Sequence, residues 1–258
     1  MKSIFAIFSA AFLAAGVATS AVADGSVDPF DSPLWQAMHE DFLYGDEAVF
    51  DDLVGVVMPL DIENSTDVPV AIRLSPDLDD VQEVVLIAEN NPIPLVARLY
   101  PHRQINMFGI KIRLEMSTPV RAAARTADGV WHVGSEWANV LTPGGCSAPI
   151  EFSMAGMGAR VGEISFRTYE RDDGTDRLKM RIIHPMETGF AFTPEGDEIP
   201  AYYVERIELA DESGPIADLV TNAAVAPDPI FTIDVAGLKQ TLQINARDSE
   251  GLEFETFR

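Results

Sequence analysis

Along most of this chain, short apolar runs alternate with clusters of turn-forming residues. Val68, Val70, Ile72 and Leu74 are separated by single intervening positions, as are Ile110, Ile112, Leu114 and Met116. A period of two places every second side chain on one face, the pattern of a half-buried strand. Runs of this kind cover 54–62, 68–74, 83–88, 95–100, 110–116, 120–126 and 130–135. Between them stand Asn64-Ser65, Ser75-Pro76, Asn91-Pro92, Pro101-His102 and Asp128-Gly129. After a glycine-bearing stretch at 143–159 the pattern resumes at 161–168, 178–183, 201–210, 215–219, 230–235 and 239–246, with a last run after Gly251. Asp173-Gly174 is a hairpin turn signal. Many short strands at about 8–12-residue spacing predict antiparallel sandwiches. The fold class expected is all-β: two sandwiches, 24–142 and 160–258, joined by a linker at 143–159.

One helix precedes them. Ser32 suits an N-cap, Pro33 the first helical position and Gly45 the C-terminal close. Trp35, Met38 and Phe42 recur at helical spacing and give that helix a stripe to bury.

Residues 1–23 read differently: Lys2, an apolar run over 4–17, then Ala21-Val22-Ala23. This is the pattern of a secretory signal peptide cleaved after Ala23, and its apolar run is shorter than the ~20 residues of a membrane span. The expected location is a bacterial periplasm. The formal charge is −23, from 18 basic and 41 acidic residues. Such acidity repels nucleic acid and anionic membrane surfaces and favours basic protein partners. A hydrophobic content of 47% is ordinary for globular chains and argues against disorder.

Candidate chemistry concentrates at Pro143-Gly144-Gly145-Cys146-Ser147-Ala148-Pro149, which holds the only cysteine of the chain. An exported protein with one cysteine forms no internal disulfide, so the thiol either pairs between molecules or stays free. Free cysteines are often small buried hydrophobes. The glycine and proline flanks instead predict an exposed, mobile connection presenting Cys146, with Gly144 and Gly145 as its supporting loop. No Lys or Arg lies between Gly134 and Ala159, whereas Glu136 and Glu151 do, so any base or cation for the thiol must come from elsewhere. No Gly-x-Ser-x-Gly elbow or phosphate-cradling loop occurs, and Gly156-x-Gly158-x-x-x-Gly162 misses the dinucleotide spacing by one residue. His39, His102, His132 and His184 are scattered without metal-ligand spacing. Neither a metal nor another cofactor is expected, nor independent enzymatic turnover.

Several strings carry a resemblance. Gly144-Gly145-Cys146 follows Ala138-Asn139-Val140-Leu141. Upstream lie Val68-Pro69-Val70, Glu89-Asn90-Asn91-Pro92-Ile93-Pro94 and Ser117-Thr118-Pro119-Val120-Arg121-Ala122. Together these resemble SoxY, a sulfur carrier. His184-Pro185-Met186-Glu187-Thr188-Gly189, Ile199-Pro200-Ala201-Tyr202-Tyr203-Val204 and Pro227-Asp228-Pro229-Ile230-Phe231 resemble its partner SoxZ. The order is similar to the quinoprotein dehydrogenase-associated SoxYZ-like carriers. The resemblance implies immunoglobulin-like domains and a Cys146 thiol holding sulfur intermediates of thiosulfate oxidation. It also implies periplasmic redox partners: Sox-type enzymes, a c-type cytochrome or a quinoprotein dehydrogenase. Where SoxY ends in a free Gly-Gly-Cys-Gly-Gly arm, this chain continues through Ser147-Ala148-Pro149 into its second half. The rival reading is a non-catalytic acidic module that docks a basic cytochrome or dehydrogenase, with Cys146 incidental.

Overall fold

The computed structural model describes residues 27–148 and 160–257. The signal segment with its cleavage site after Ala23, and Gly156 and Gly158 of the linker, lie outside the described residues.

Helix α1, Trp35–Phe42, opens the fold, followed by β1 (Ala48–Phe50), β2 (Val54–Val57), β3 (Asp61–Ile62), β4 (Val68–Leu74) and β5 (Val81–Ala88). Then come β6 (Leu95–Pro101), β7 (Ile105–Ile112), β8 (Thr118–Thr126) and β9 (Trp131–Val140). The second half supplies β10 (Ile164–Glu170), β11 (Thr175–Ile182), β12 (Val204–Asp211), β13 (Gly214–Thr221), β14 (Ile230–Ala236), β15 (Leu242–Asp248) and β16 (Glu253–Phe257). The strands form two largely antiparallel sheets, as expected of immunoglobulin-like sandwich domains. One runs β1-β9-β8-β5-β6-β13-β12-β15-β16 with β3 beside β9, and the other β10-β11-β14-β7-β4-β2.

The sheet orders show how the halves meet. Each half contributes a contiguous block to each sheet, and the blocks join edge to edge, β6 on β13 and β7 on β14. Backbone ladders thus cross the boundary in both layers. Pairing these edges also hides backbone donors and acceptors that would otherwise template aggregation. One hydrophobic core runs through both halves, with Leu99 and Phe108 from the first and Leu219, Phe231 and Ile233 from the second. Arg103 adds a polar clamp. Its guanidinium donates to Asp211 from both Nη atoms and to the carbonyls of Pro215 and Gly214.

Strand β5 lacks the alternation of its neighbours because both of its faces are covered. Val84, Leu86 and Ala88 point into the sandwich, while Val85 and Ile87 meet Met38 and Leu43 of the helical segment. The helix starts later than Ser32 and Pro33 suggest. Its N-cap is Leu34, without a side-chain cap, and Ser32 Oγ instead donates to Glu89. Gly45 closes the helix as expected, at φ +68°, its N–H reaching the His39 carbonyl. Strand β7 is displaced from the predicted 110–116. It begins at Ile105, and after Ile112 the backbone leaves the ladder to build the site described next.

Candidate functional site

Strands β7 and β11 both pair antiparallel to β14, so their C-terminal ends lie at the same end of the six-stranded sheet. From β7 emerge Arg113, Leu114 and Glu115; from β11, the loop His184-Pro185-Met186-Glu187-Thr188. Cys146 is held between these two segments, one from each half.

The arm is fastened along its length. Gly144 N–H donates to the Glu115 carbonyl at 2.8 Å and Gly145 N–H to the Leu114 carbonyl at 3.1 Å. The Glu115 carboxylate accepts the N–H of Cys146 at 3.0 Å, the N–H of Ser147 at 3.2 Å and the Ser147 hydroxyl at 2.8 Å. From the other half, Thr188 Oγ1 donates to the Cys146 carbonyl at 2.6 Å. Asn91 braces the first segment, donating to the Arg113 carbonyl at 2.8 Å and accepting the Glu115 N–H at 2.9 Å.

The expectation of an exposed, mobile thiol is therefore corrected: Cys146 is 0% exposed. The glycines serve close packing rather than mobility. Gly144 sits at φ +102°, a conformation that side chains disfavour. A Cβ on Gly145 would lie 2.1 Å from the Ser65 carbonyl oxygen and 2.5 Å from that of Leu114. Only glycine lets the arm lie flat against the body.

Burial, and then the Glu115 carboxylate, push the Cys146 thiol up to about 12, against a smaller opposing pull from Arg113. Against an ordinary value of 9.0 this keeps the seated thiol protonated and chemically quiet. The cation does come from elsewhere in sequence. Arg113 is 1% exposed and donates through Nη2 to the carbonyls of Met186 at 2.8 Å and Pro185 at 3.4 Å. Burial holds its pKa below the usual guanidinium value.

The covering loop has its own foundation. His184 and Asp248 are both fully buried, with His184 Nε2 3.7 Å from Asp248 Oδ2. Nδ1 of His184 accepts the Met186 N–H at 3.1 Å, which fixes the neutral tautomer with its proton on Nε2. Burial lowers His184 to about 4. Tyr202 packs against the imidazole with centroids 4.4 Å apart and the rings tilted by 54°. Met186 adopts φ +53°, uncommon for a side-chain-bearing residue, and its buried sulfur accepts the Val204 N–H at 3.3 Å.

The arrangement is a sheltered seat for one thiol. Of the residues singled out from sequence, Cys146, Gly144 and Gly145 meet here, together with the 184–189 string. Glu115, not Glu136, supplies the acid near the thiol, and Glu151 lies outside the described residues. Asn91 and Thr188 stand in strings singled out from sequence, whereas Arg113 and Glu115 carry no local signal, since strand pairing alone brings them to the thiol.

Comparisons with known proteins bear on both halves. A family model described as sulfur oxidation protein SoxY matches residues 39–146, ending on Cys146 itself, and one described as sulphur oxidation protein SoxZ matches residues 164–257. The chain is a fused SoxYZ-like protein. It thus unites in one polypeptide two domains of the sulfur-oxidation carrier families. No curated protein matches the sequence. Among solved structures, the sulfur carrier protein SoxY from Chlorobium limicola f thiosulfatophilum aligns at 14% identity and a TM-score of 0.37, covering 42% of this chain and 97% of that one.

Proposed function

We propose that this protein carries a sulfur-derived group covalently on Cys146 and presents it to redox enzymes without turning over substrate itself. The observation carrying the proposal is that the SoxY match ends on the sole cysteine, whose arm is seated against the SoxZ half. In this reading the two halves divide the work. The SoxY half supplies the thiol and the Glu115 fastening; the SoxZ half supplies the cover from His184 to Thr188.

A carrier must be inert between encounters and reactive within them. Seated, the thiol is protonated and shielded from water and adventitious oxidants. Released, it regains an ordinary thiol pKa, and its thiolate attacks one sulfur of a donor's S–S bond: a new S–S bond to Cys146 forms as the donor's breaks, and the donor's other sulfur leaves as a thiolate. Because the chain continues beyond Cys146, the arm enters a partner as a hairpin, tethered at both ends. Sox-type enzymes fit as partners, and a c-type cytochrome or quinoprotein dehydrogenase as electron acceptor. The periplasm is the location, reached through the signal segment at residues 1–23.

Complementation tests the proposal. In a strain lacking the gene, Cys146→Ser is expected to abolish sulfur-compound oxidation at normal protein levels. Full function of Cys146→Ser would leave the acidic docking module as the better reading.

A further inference from the structure

The outer face of the six-stranded sheet is basic, on a chain whose formal charge is −23. Strand register fixes which side chains share it. Lys179 stands opposite Arg167 on β10 and Thr232 on β14, and Arg181 opposite Ser165 and Ile230. Arg177 faces Tyr169 and Asp234 on the same side, Met107 and Gly109 continue it on β7, and Arg73 and Lys111 extend it onto β4 and β7. Six cations thus face outward with one acid, Asp234, among the strand positions. Asp234 binds Arg177 through two hydrogen bonds at 2.7 and 2.8 Å. At the margins Asp67 holds Lys111 at 2.7 Å and Asp228 holds Arg181 at 2.5 Å. Arg73, Arg167 and Lys179 are exposed and make no ion pair among the described residues.

This face ends where Cys146 sits. Lys111 is two residues before Arg113, and Arg181 shares Asp228 with the His184 backbone N–H. A body resting on the face would meet the seated arm at its edge.

We propose that this face docks an acidic surface patch of a partner protein, the enzyme that receives the Cys146 arm. The proposal rests on the carrier reading of Cys146. Charge complementarity sets the occupant. Six strands at about 4.8 Å spacing give a patch of roughly 25 Å, comparable to a protein footprint. At physiological ionic strength charges beyond about 8 Å are screened, so the local cations, not the distant acids, meet such a footprint. An extended anionic membrane would instead press against the acidic surroundings as well.

The test compares two double charge reversals of equal net effect on the intact chain. Arg167→Glu/Lys179→Glu alters the basic face; Arg206→Glu/Arg247→Glu alters exposed cations on the other sheet. Immobilised poly-L-glutamate at low salt serves as the acidic probe. Wild type is expected to bind with steep salt dependence, the basic-face double at least tenfold more weakly, and the control double within about threefold of wild type. Should the reversed face unfold, Arg167→Gln/Lys179→Gln asks the same question with milder changes. No binding by wild type, or equal loss in both doubles, overturns the proposal. So does tighter binding to phosphatidylglycerol vesicles than to poly-L-glutamate, which assigns the face to a membrane. A dimer in sedimentation that the basic-face double dissolves also overturns it, assigning the face to a second copy. Cys146→Ser retains poly-L-glutamate binding if the face exists, whatever becomes of the carrier role, so the two readings fail separately.

Discussion

Replacing Glu115 with alanine removes the fastening that holds the carrier arm to its own half. Three donors converge on this carboxylate: the N–H groups of Cys146 and Ser147 and the Ser147 hydroxyl. Hydrogen bonds to a charged acceptor contribute about 1.5–3 kcal/mol each when shielded. Ser147 is exposed and Glu115 half-buried, so solvent competes, and about 2–3 kcal/mol for the set is the appropriate scale. That destabilisation of the seated state corresponds to roughly a 30- to 150-fold larger open fraction. Native-state alkylation with iodoacetamide reads it directly, because Cys146 is the only thiol. If the arm must leave its seat to react, the reactive species is the released thiol. Because the protonated, seated thiol is the ground state, the rate then rises with pH beyond the ordinary thiol value in both proteins, and Glu115→Ala lifts it across the neutral range. Two results refute the reasoning: wild-type Cys146 reacting as fast as an unfolded-peptide thiol, or Glu115→Ala reacting no faster than wild type at any pH.

Other outcomes follow from the same geometry. Thr188→Val leaves the buried Cys146 carbonyl without its 2.6 Å donor and should raise alkylation about fivefold, for a loss of about 1 kcal/mol, with the melting temperature nearly unchanged. Gly145→Ala cannot be seated, with carbonyl oxygens 2.1 and 2.5 Å from its Cβ; alkylation approaching the free-thiol rate in a folded protein is expected. His184 is held neutral by burial, at about 4 against 6.5. The unfolded chain therefore takes up its proton first as pH falls, and stability should drop between about pH 6.5 and 4, measured by denaturant midpoint, with a shallower drop in His184→Asn. Asp211 is held well below the usual carboxylate range, chiefly by Arg103. Its stabilisation is complete above about pH 4 and is lost as pH falls below that, so Arg103→Ala should destabilise by about 3 kcal/mol at pH 7 and flatten the acid limb below pH 4.

Much of the fold was legible because strand periodicity is a local property. The alternation at Val68–Leu74 became a strand with the same bounds, every second residue buried. Ile110–Met116 misled because its alternation continues past the end of the ladder. Leu114 is buried by the site, not by the sheet, its N–H bonding to the Ser65 carbonyl. The three residues Ala48–Phe50 are too short a run to show a period, and their parallel pairing with β9 is a long-range event. Cys146 was found because it is unique, but its environment was inverted. Gly-Gly reads as mobility when seen alone; here it answers to two carbonyl oxygens from residues about thirty and eighty positions away. Ser32 was read as a helix cap, yet Glu89, 57 positions later, takes its hydroxyl. The union of the halves through β6–β13 and β7–β14 was likewise invisible, since neither edge carries a mark of the strand it will meet.

The central claim is that Cys146 carries cargo. Intact mass spectrometry of the protein purified from its native source without reductant, before and after dithiothreitol, tests it most directly. The account predicts a sulfur-containing adduct that maps to Cys146, disappears on reduction and identifies the cargo by its mass. A bare Cys146 thiol throughout, in cells actively oxidising sulfur compounds, would contradict it.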